Sequence, residues 1–108
     1  MKILLIENTW LSGFNHGWGN GYVVIPEGHP EHGKDYTEID VDVHGGLTFA
    51  KLVDAKMVAE WCEGKSGLTA EDIGGYCVGF DTAHLSDTIE KWPKQKVYEE
   101  TSRLRQQL

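Results

Sequence analysis

The alternation of apolar and polar positions divides the chain into short segments. Lys2 to Glu7 is an apolar run of Ile and Leu closed on both sides by charged residues, which predicts a buried strand. Gly21 to Ile25 predicts a second strand, ended by Pro26, and a turn-rich stretch runs on to Gly33. From Thr37 to His44 the pattern has period two: Ile39, Val41 and Val43 fall on one face, Asp40, Asp42 and His44 on the other. That spacing predicts a half-buried strand. Gly45-Gly46 supply the positive φ of a two-residue hairpin turn, so Leu47 to Lys51 is expected to return as its partner. Tyr76 to Phe80 reads as the last strand, with Cys77, Gly79 and Asp81 on the face opposite Tyr76, Val78 and Phe80.

Helical signals are fewer. Residues 52–63 fit either a short helix or an irregular strand, and Thr69 to Asp72 has the form of a helix start that Gly74-Gly75 cuts off after about one turn. Asp87 to Trp92 allows a turn of helix before Pro93. Beyond it Val97, Thr101, Leu104 and Leu108 recur at helical spacing, with the proline suited to a helix's first turn. The expectation is one α+β domain over residues 1–108: an antiparallel sheet of about four to five strands packed by a C-terminal amphipathic helix.

Composition narrows the function classes. The opening apolar run stops at Glu7-Asn8 with no small-residue cleavage site after it, and no apolar stretch has the length of a membrane span, so a soluble, cytoplasmic protein is expected. Cys62 and Cys77 stand far apart, without the spacing of a zinc site or the density of a disulfide scaffold, and read as reduced thiols. Residues 1–90 hold five lysines against fifteen carboxylates, a net of −10, whereas residues 91–108 carry five Lys or Arg against two Glu, a net of +3. An acidic body disfavours nucleic-acid polymers as partners. The basic tail suits a contact with the body, within one chain or between copies, so a homo-oligomer stays open.

Two constellations carry candidate chemistry. In Asp40-x-Asp42-x-His44-Gly45-Gly46-Leu47-Thr48, period-two geometry projects two carboxylates and an imidazole to one side, and the glycines admit a ligand close to the backbone. In Gly79-Phe80-Asp81-Thr82-Ala83-His84-Leu85-Ser86-Asp87, Asp81 and His84 stand at a strand exit, where functional side chains clear the scaffold. Were the two segments neighbours, Asp40, Asp42, His44, Asp81 and His84 would form a donor set for a divalent metal and for phosphoester cleavage. Without a metal, His44, Gly45, Gly46, Thr48, Asp81 and His84 would bind a small polar ligand with no cofactor. The plain alternative is a solvated strand face, an ordinary turn and a capping residue.

Trp10 to Gly21 mixes aromatics with Gly and Asn, and Trp18 in it offers a face on which a base could stack. The stretch lacks both the lysine of a Walker loop and a dinucleotide fingerprint. His29-Pro30-Glu31-His32 is a weak metal motif, and no nucleophile-centred motif is present.

With these residues in view, the chain resembles a group of small bacteriophage and prophage proteins. The resemblance rests on Gly28-His29-Pro30, Tyr36, Val43-His44-Gly45-Gly46-Leu47-Thr48, Gly79-Phe80-Asp81-Thr82-Ala83-His84 with Asp87, Val97, Glu100-Thr101, and Leu104-x-x-Gln107-Leu108, and covers the chain from about residue 21 onward. Thr82 stands where that group tends to place a cysteine, which argues against a thiol ligand. The resemblance implies a viral accessory protein in the host cytoplasm, a class that includes sponges for nucleotide signals of host defence, and no specific activity. The expectations are therefore a nucleotide-like ligand binder first, a metal-dependent phosphoesterase second, and a protein-binding inhibitor of a host factor third.

Overall fold

The computed structural model describes residues 1–8, 16–62 and 66–108, with the side chain of Cys62 also left aside. Four antiparallel strands form one sheet: β1 (Lys2–Glu7), β2 (Gly19–Ile25), β3 (Phe49–Leu52) and β4 (Tyr76–Phe80), in the order β1-β2-β4-β3. Lys2 pairs with Val24 at one end of β1 and Glu7 with Gly19 at the other, while β4 takes Val23 opposite Val78 and Ala50 on its far side. Two helices complete the fold, α1 (Ala55–Cys62) and α2 (Lys94–Gln107). The α+β class and the C-terminal helix agree with the sequence pattern. No helix among the described residues is long and apolar enough to cross a membrane.

Both faces of the sheet are covered, which is why β4 and the Gly21 to Ile25 part of β2 carry no charged or amide side chain. Leu4, Tyr22, Val24 and Cys77 point to the side that α1 closes with Met57, together with Val53 and Leu68. Val23 and Phe80 point to the opposite side, where Val97 and Leu104 of α2 meet them. The helical stripe read from the sequence is thus core: Val97, Thr101 and Leu104 are buried, and the Thr101 hydroxyl is satisfied by the Val97 carbonyl 2.6 Å away. Gly21 of β2 lets α2 lie this close, since a Cβ there would meet the Thr101 side chain.

The segment from Thr37 to His44 corrects the sequence reading. It is no ladder strand: Tyr36–Glu38 form a short 3-10 turn, Ile39 is extended, residues 40–43 form no regular element, and β3 begins only at Phe49 and pairs with β4. The period-two pattern is nonetheless physical. Ile39 and Val43 are buried against the sheet and α2 while Asp40 and Asp42 are exposed. The backbone groups that a partner strand would have paired are taken by α2 side chains. Gln107 accepts from the Asp42 N–H and donates to the Asp42 carbonyl, both at 2.7 Å, and Glu100 accepts from the His44 N–H at 2.7 Å. The segment is a strap that the helix holds. Gly45 and Gly46 do form a turn with φ of +70° and +79°, closed by the Gly46 N–H on the Val43 carbonyl, but it joins no hairpin.

The ambiguous stretch after residue 52 resolves into α1, with Asp54 capping the Met57 N–H at 2.8 Å. Thr69 and Asp72 make a reciprocal capping box on a single 3-10 turn, Ala70–Asp72. Asp87 to Trp92 contains one helical turn, the Trp92 N–H bonding the Thr88 carbonyl at 2.8 Å.

Candidate functional site

The strap brings His44 to the loop that leaves β4. The His44 and His84 rings stand edge to face with centroids 5.0 Å apart, so the two constellations do meet. Between them lies Asp87, which is 2% exposed. His44 Nε2 lies 2.9 Å from Asp87 Oδ1 and 3.1 Å from Oδ2, and His84 Nδ1 lies 2.6 Å from Oδ2. The His84 backbone N–H also reaches Oδ2, at 3.0 Å. A buried carboxylate thus receives donors from two histidines forty residues apart in the chain.

Burial pushes the Asp87 carboxyl up, but the hydrogen bonds from His44 and His84 outweigh it and hold it below the ordinary carboxylate range. An ionised carboxylate only accepts, so His44 Nε2 and His84 Nδ1 carry the protons in these contacts. The remaining face of His84 meets Asp81, whose Oδ1 is 3.5 Å from Nε2. Asp81 also caps the loop through the Ala83 N–H at 3.2 Å. The imidazole side chains are partly open, 25% for His44 and 36% for His84.

Local sequence explains the placement. A Cβ on Gly45 would sit 2.5 Å from Cε1 and Nε2 of His84, so only glycine lets the turn pass over that ring. Trp92 packs against the other side of His44, centroids 4.1 Å apart. Behind the strap, Arg103 grips Glu100 at 2.8 and 2.9 Å and Asp42 at 3.2 Å. The guanidinium, helped by the His44 N–H and opposed by burial, holds Glu100 below its usual range, and Arg103 is raised in turn. The basic tail therefore contacts the acidic body within one chain. A small groove of about 150 Å³ adjoins His44 through Trp92 and Glu100 and is also lined by Lys96 and Arg103.

Several residues singled out in the sequence lie elsewhere. Asp40 is exposed and Asp42 is engaged with Arg103, so neither belongs to the donor cluster. The strap is anchored by α2 in a way that turns these carboxylates outward. Trp18 lines a different cavity, beside Leu5 and Tyr98, with the Lys94 ammonium 5.5 Å over its ring. Trp10 falls outside the described residues. The Gly46 amide is already used within the turn, and the Thr48 N–H bonds the Gly79 carbonyl at 2.9 Å. His29 and His32 hold the carbonyls of Leu108 and Gly74, each at 2.8 Å, which makes that motif a fastening for the turn between β2 and the strap. Thr82 is buried with its hydroxyl on the Gly19 carbonyl, a structural tie. The Cys77 thiol is buried and pushed up to about 12, which removes it from chemistry at ordinary pH.

In the sequence Asp87 closes the second constellation without an assigned role, and Trp92 is not a candidate. The signal for Asp87 was its position three residues after His84, the spacing at which a carboxylate caps its own turn and reaches the side chain one turn back. Nothing local marked Trp92. Comparison with known proteins finds no matching family model, no matching curated relative and no matching solved structure.

Proposed function

We propose that this chain binds a small polar ligand carrying a phosphate-type group at the opening made by His44, Gly45, His84 and the groove beside Trp92. The observation that supports it most is the convergence of two partly open imidazoles on one buried, ionised carboxylate. A buried charge with two imidazole donors is a demanding arrangement to keep in a small domain. Lys96 adds a cation on the groove side, where Glu99 and the Arg103–Glu100 pair also stand, and the Trp92 ring adds a flat surface for a base or similar group. The groove itself has room for a phosphate-sized group, so the bulk of a nucleotide would lie across the rim. With the resemblance to phage proteins, this reading makes the chain an accessory protein that captures a nucleotide-like molecule.

A phosphoesterase is the second reading, and the paired imidazoles favour it. Each ring is oriented by a carboxylate, the geometry by which one imidazole takes the proton of an attacking water while another protonates the leaving oxygen. The two readings part on turnover. A thermal-shift and calorimetry panel of inorganic phosphate, nucleoside monophosphates, diphosphates and cyclic nucleotides should give saturable binding in the natural chain and none in a His44→Ala, His84→Ala double variant. Recovery of intact ligand after heat denaturation marks capture, and recovery of a cleaved product marks catalysis. No binding by any member of the panel contradicts both.

A further inference from the structure

The open imidazoles have more carboxylate around them than a phosphate-type ligand tolerates. Asp87 and Asp81 touch the rings, Glu100 holds the His44 backbone, and Arg103 is already engaged by Glu100 and Asp42. His84 sharpens the problem, because a carboxylate faces each of its ring nitrogens: Asp87 at Nδ1 and Asp81 at Nε2. A neutral imidazole has one N–H and one lone pair. It serves one carboxylate and turns its lone pair on the other.

A metal cation at Nδ1, like a second ring proton, removes the conflict. On metal binding each ligating imidazole carries its N–H on the other ring nitrogen, and in His84 that Nε2 N–H points to Asp81, the carboxylate–histidine–metal arrangement that fixes a ligating ring and strengthens it as a donor. We propose that His44 Nε2, His84 Nδ1 and an Asp87 oxygen ligate a divalent transition ion, with Asp81 as the outer carboxylate behind His84. The three ligand atoms already lie within 4.8 Å of one another. Bonds of about 2.1 Å would set neighbouring donors about 3.0 to 3.4 Å apart, so the carboxylate–imidazole contacts of 2.6 to 3.1 Å open by up to about 0.8 Å, and the two ring nitrogens, now within 4.8 Å of each other, settle to the same spacing. Two imidazoles with one carboxylate suit Zn²⁺ or Co²⁺ and do not suit the oxygen-seeking Mg²⁺ or Ca²⁺. Three protein donors leave a coordination position open to a ligand oxygen. The inference deepens the reading of the preceding subsection: the ion supplies the positive charge that lets a phosphate-type group settle among carboxylates, with Lys96 on the groove side.

The test uses the whole chain, freed of metal by chelator and dialysis, with no organic ligand present. Titration with Co²⁺ should give visible absorption bands saturating at one ion per chain, displaced by Zn²⁺ and unaffected by millimolar Mg²⁺ or Ca²⁺. Asp81→Asn should weaken cobalt affinity about tenfold to a hundredfold, with the band positions kept, and Asp81→Glu should restore part of it. The His44→Ala, His84→Ala double variant should lose the bands. Since both side chains are partly exposed, that variant is expected to fold, and circular dichroism checks it. Absence of cobalt bands in the natural chain overturns the inference, as does equal affinity in the folded double variant. Unchanged affinity in Asp81→Asn overturns the outer-carboxylate assignment. Nucleotide binding that persists in metal-free protein lacking any cobalt uptake removes the metal and keeps the ligand. Cobalt uptake with no nucleotide binding does the reverse.

Discussion

The two faces of the sheet are closed by different physics. On the α1 side, Tyr22, Phe49 and Trp61 stack in tilted and edge-to-face pairs over Leu4, Met57 and Cys77, and the contacts are almost wholly apolar. On the α2 side the apolar layer of Val23, Phe80, Val97 and Leu104 stops short, and its margin is finished by Gln107, Glu100, Arg103 and the His44–Asp87–His84 group. An apolar seal would have been enough to fold the domain. The polar margin orients open imidazoles, and the proposed site rests on this difference.

Substitutions should separate the two sides, and the largest effect belongs to the sealed one. Met57→Ala should lower unfolding stability by about 2 to 5 kcal/mol, the range for truncating a buried large side chain, while leaving cobalt and ligand affinity unchanged. Urea denaturation with parallel calorimetry measures both. Asp87→Asn acts on the other side: it keeps the volume, removes the charge, and should lower stability by about 1 to 3 kcal/mol while abolishing binding. An Asp87→Asn variant that still binds would erase the distinction between the sides.

The twin glycines offer a finer comparison. Both have positive φ, but a Cβ on Gly46 meets nothing within 4 Å whereas one on Gly45 runs into the His84 ring. Gly46→Ala should cost only backbone strain, about 1 kcal/mol. Gly45→Ala should cost more and also displace His84, so binding falls in that variant alone.

Acid should affect the polar margin first. The carboxyls of Asp87 and Glu100 are held below their ordinary range in the folded chain, so each adds stability that is fully present above the unfolded-state value of about 4. That stability is lost as pH falls through the lower folded-state values. Equilibrium denaturation from pH 7 down to pH 3 should show the decline, reduced in Asp87→Asn. The smallest effect is expected for Gln107→Ala, about 1 kcal/mol for its paired hydrogen bonds to Asp42.

Much of this architecture was legible in the residues. An apolar run locates β1, and period-two and period-3.6 patterns locate β4 and α2, because each buries one or both faces and burial selects residue type. The strap misled for a physical reason: Ile39 and Val43 alternate inward as strand residues do, yet strand pairing depends on where the backbone hydrogen bonds go, and here Gln107 and Glu100 take them. The sequence offers the convergence of His44 with His84 only on the condition that two strands are neighbours, and the fold brings the rings together instead through the strap held by α2. The identity of the carboxylate between them did not, since Asp40 and Asp42 fit the same face pattern and only the tertiary fold chooses Asp87. Trp18 is attractive for its neighbours in sequence, but its ring lies under Lys94 and lines the groove of Leu5 and Tyr98, while its backbone N–H bonds the Trp92 carbonyl.

The location of binding is the most direct test of the account. Amide chemical shifts of the natural chain, followed during titration with Zn²⁺ and then with a nucleoside monophosphate, should change most at residues 43–46, 81–87 and 92–100. Shifts centred on Leu5, Trp18 and Tyr98, or no shifts at all, would contradict it.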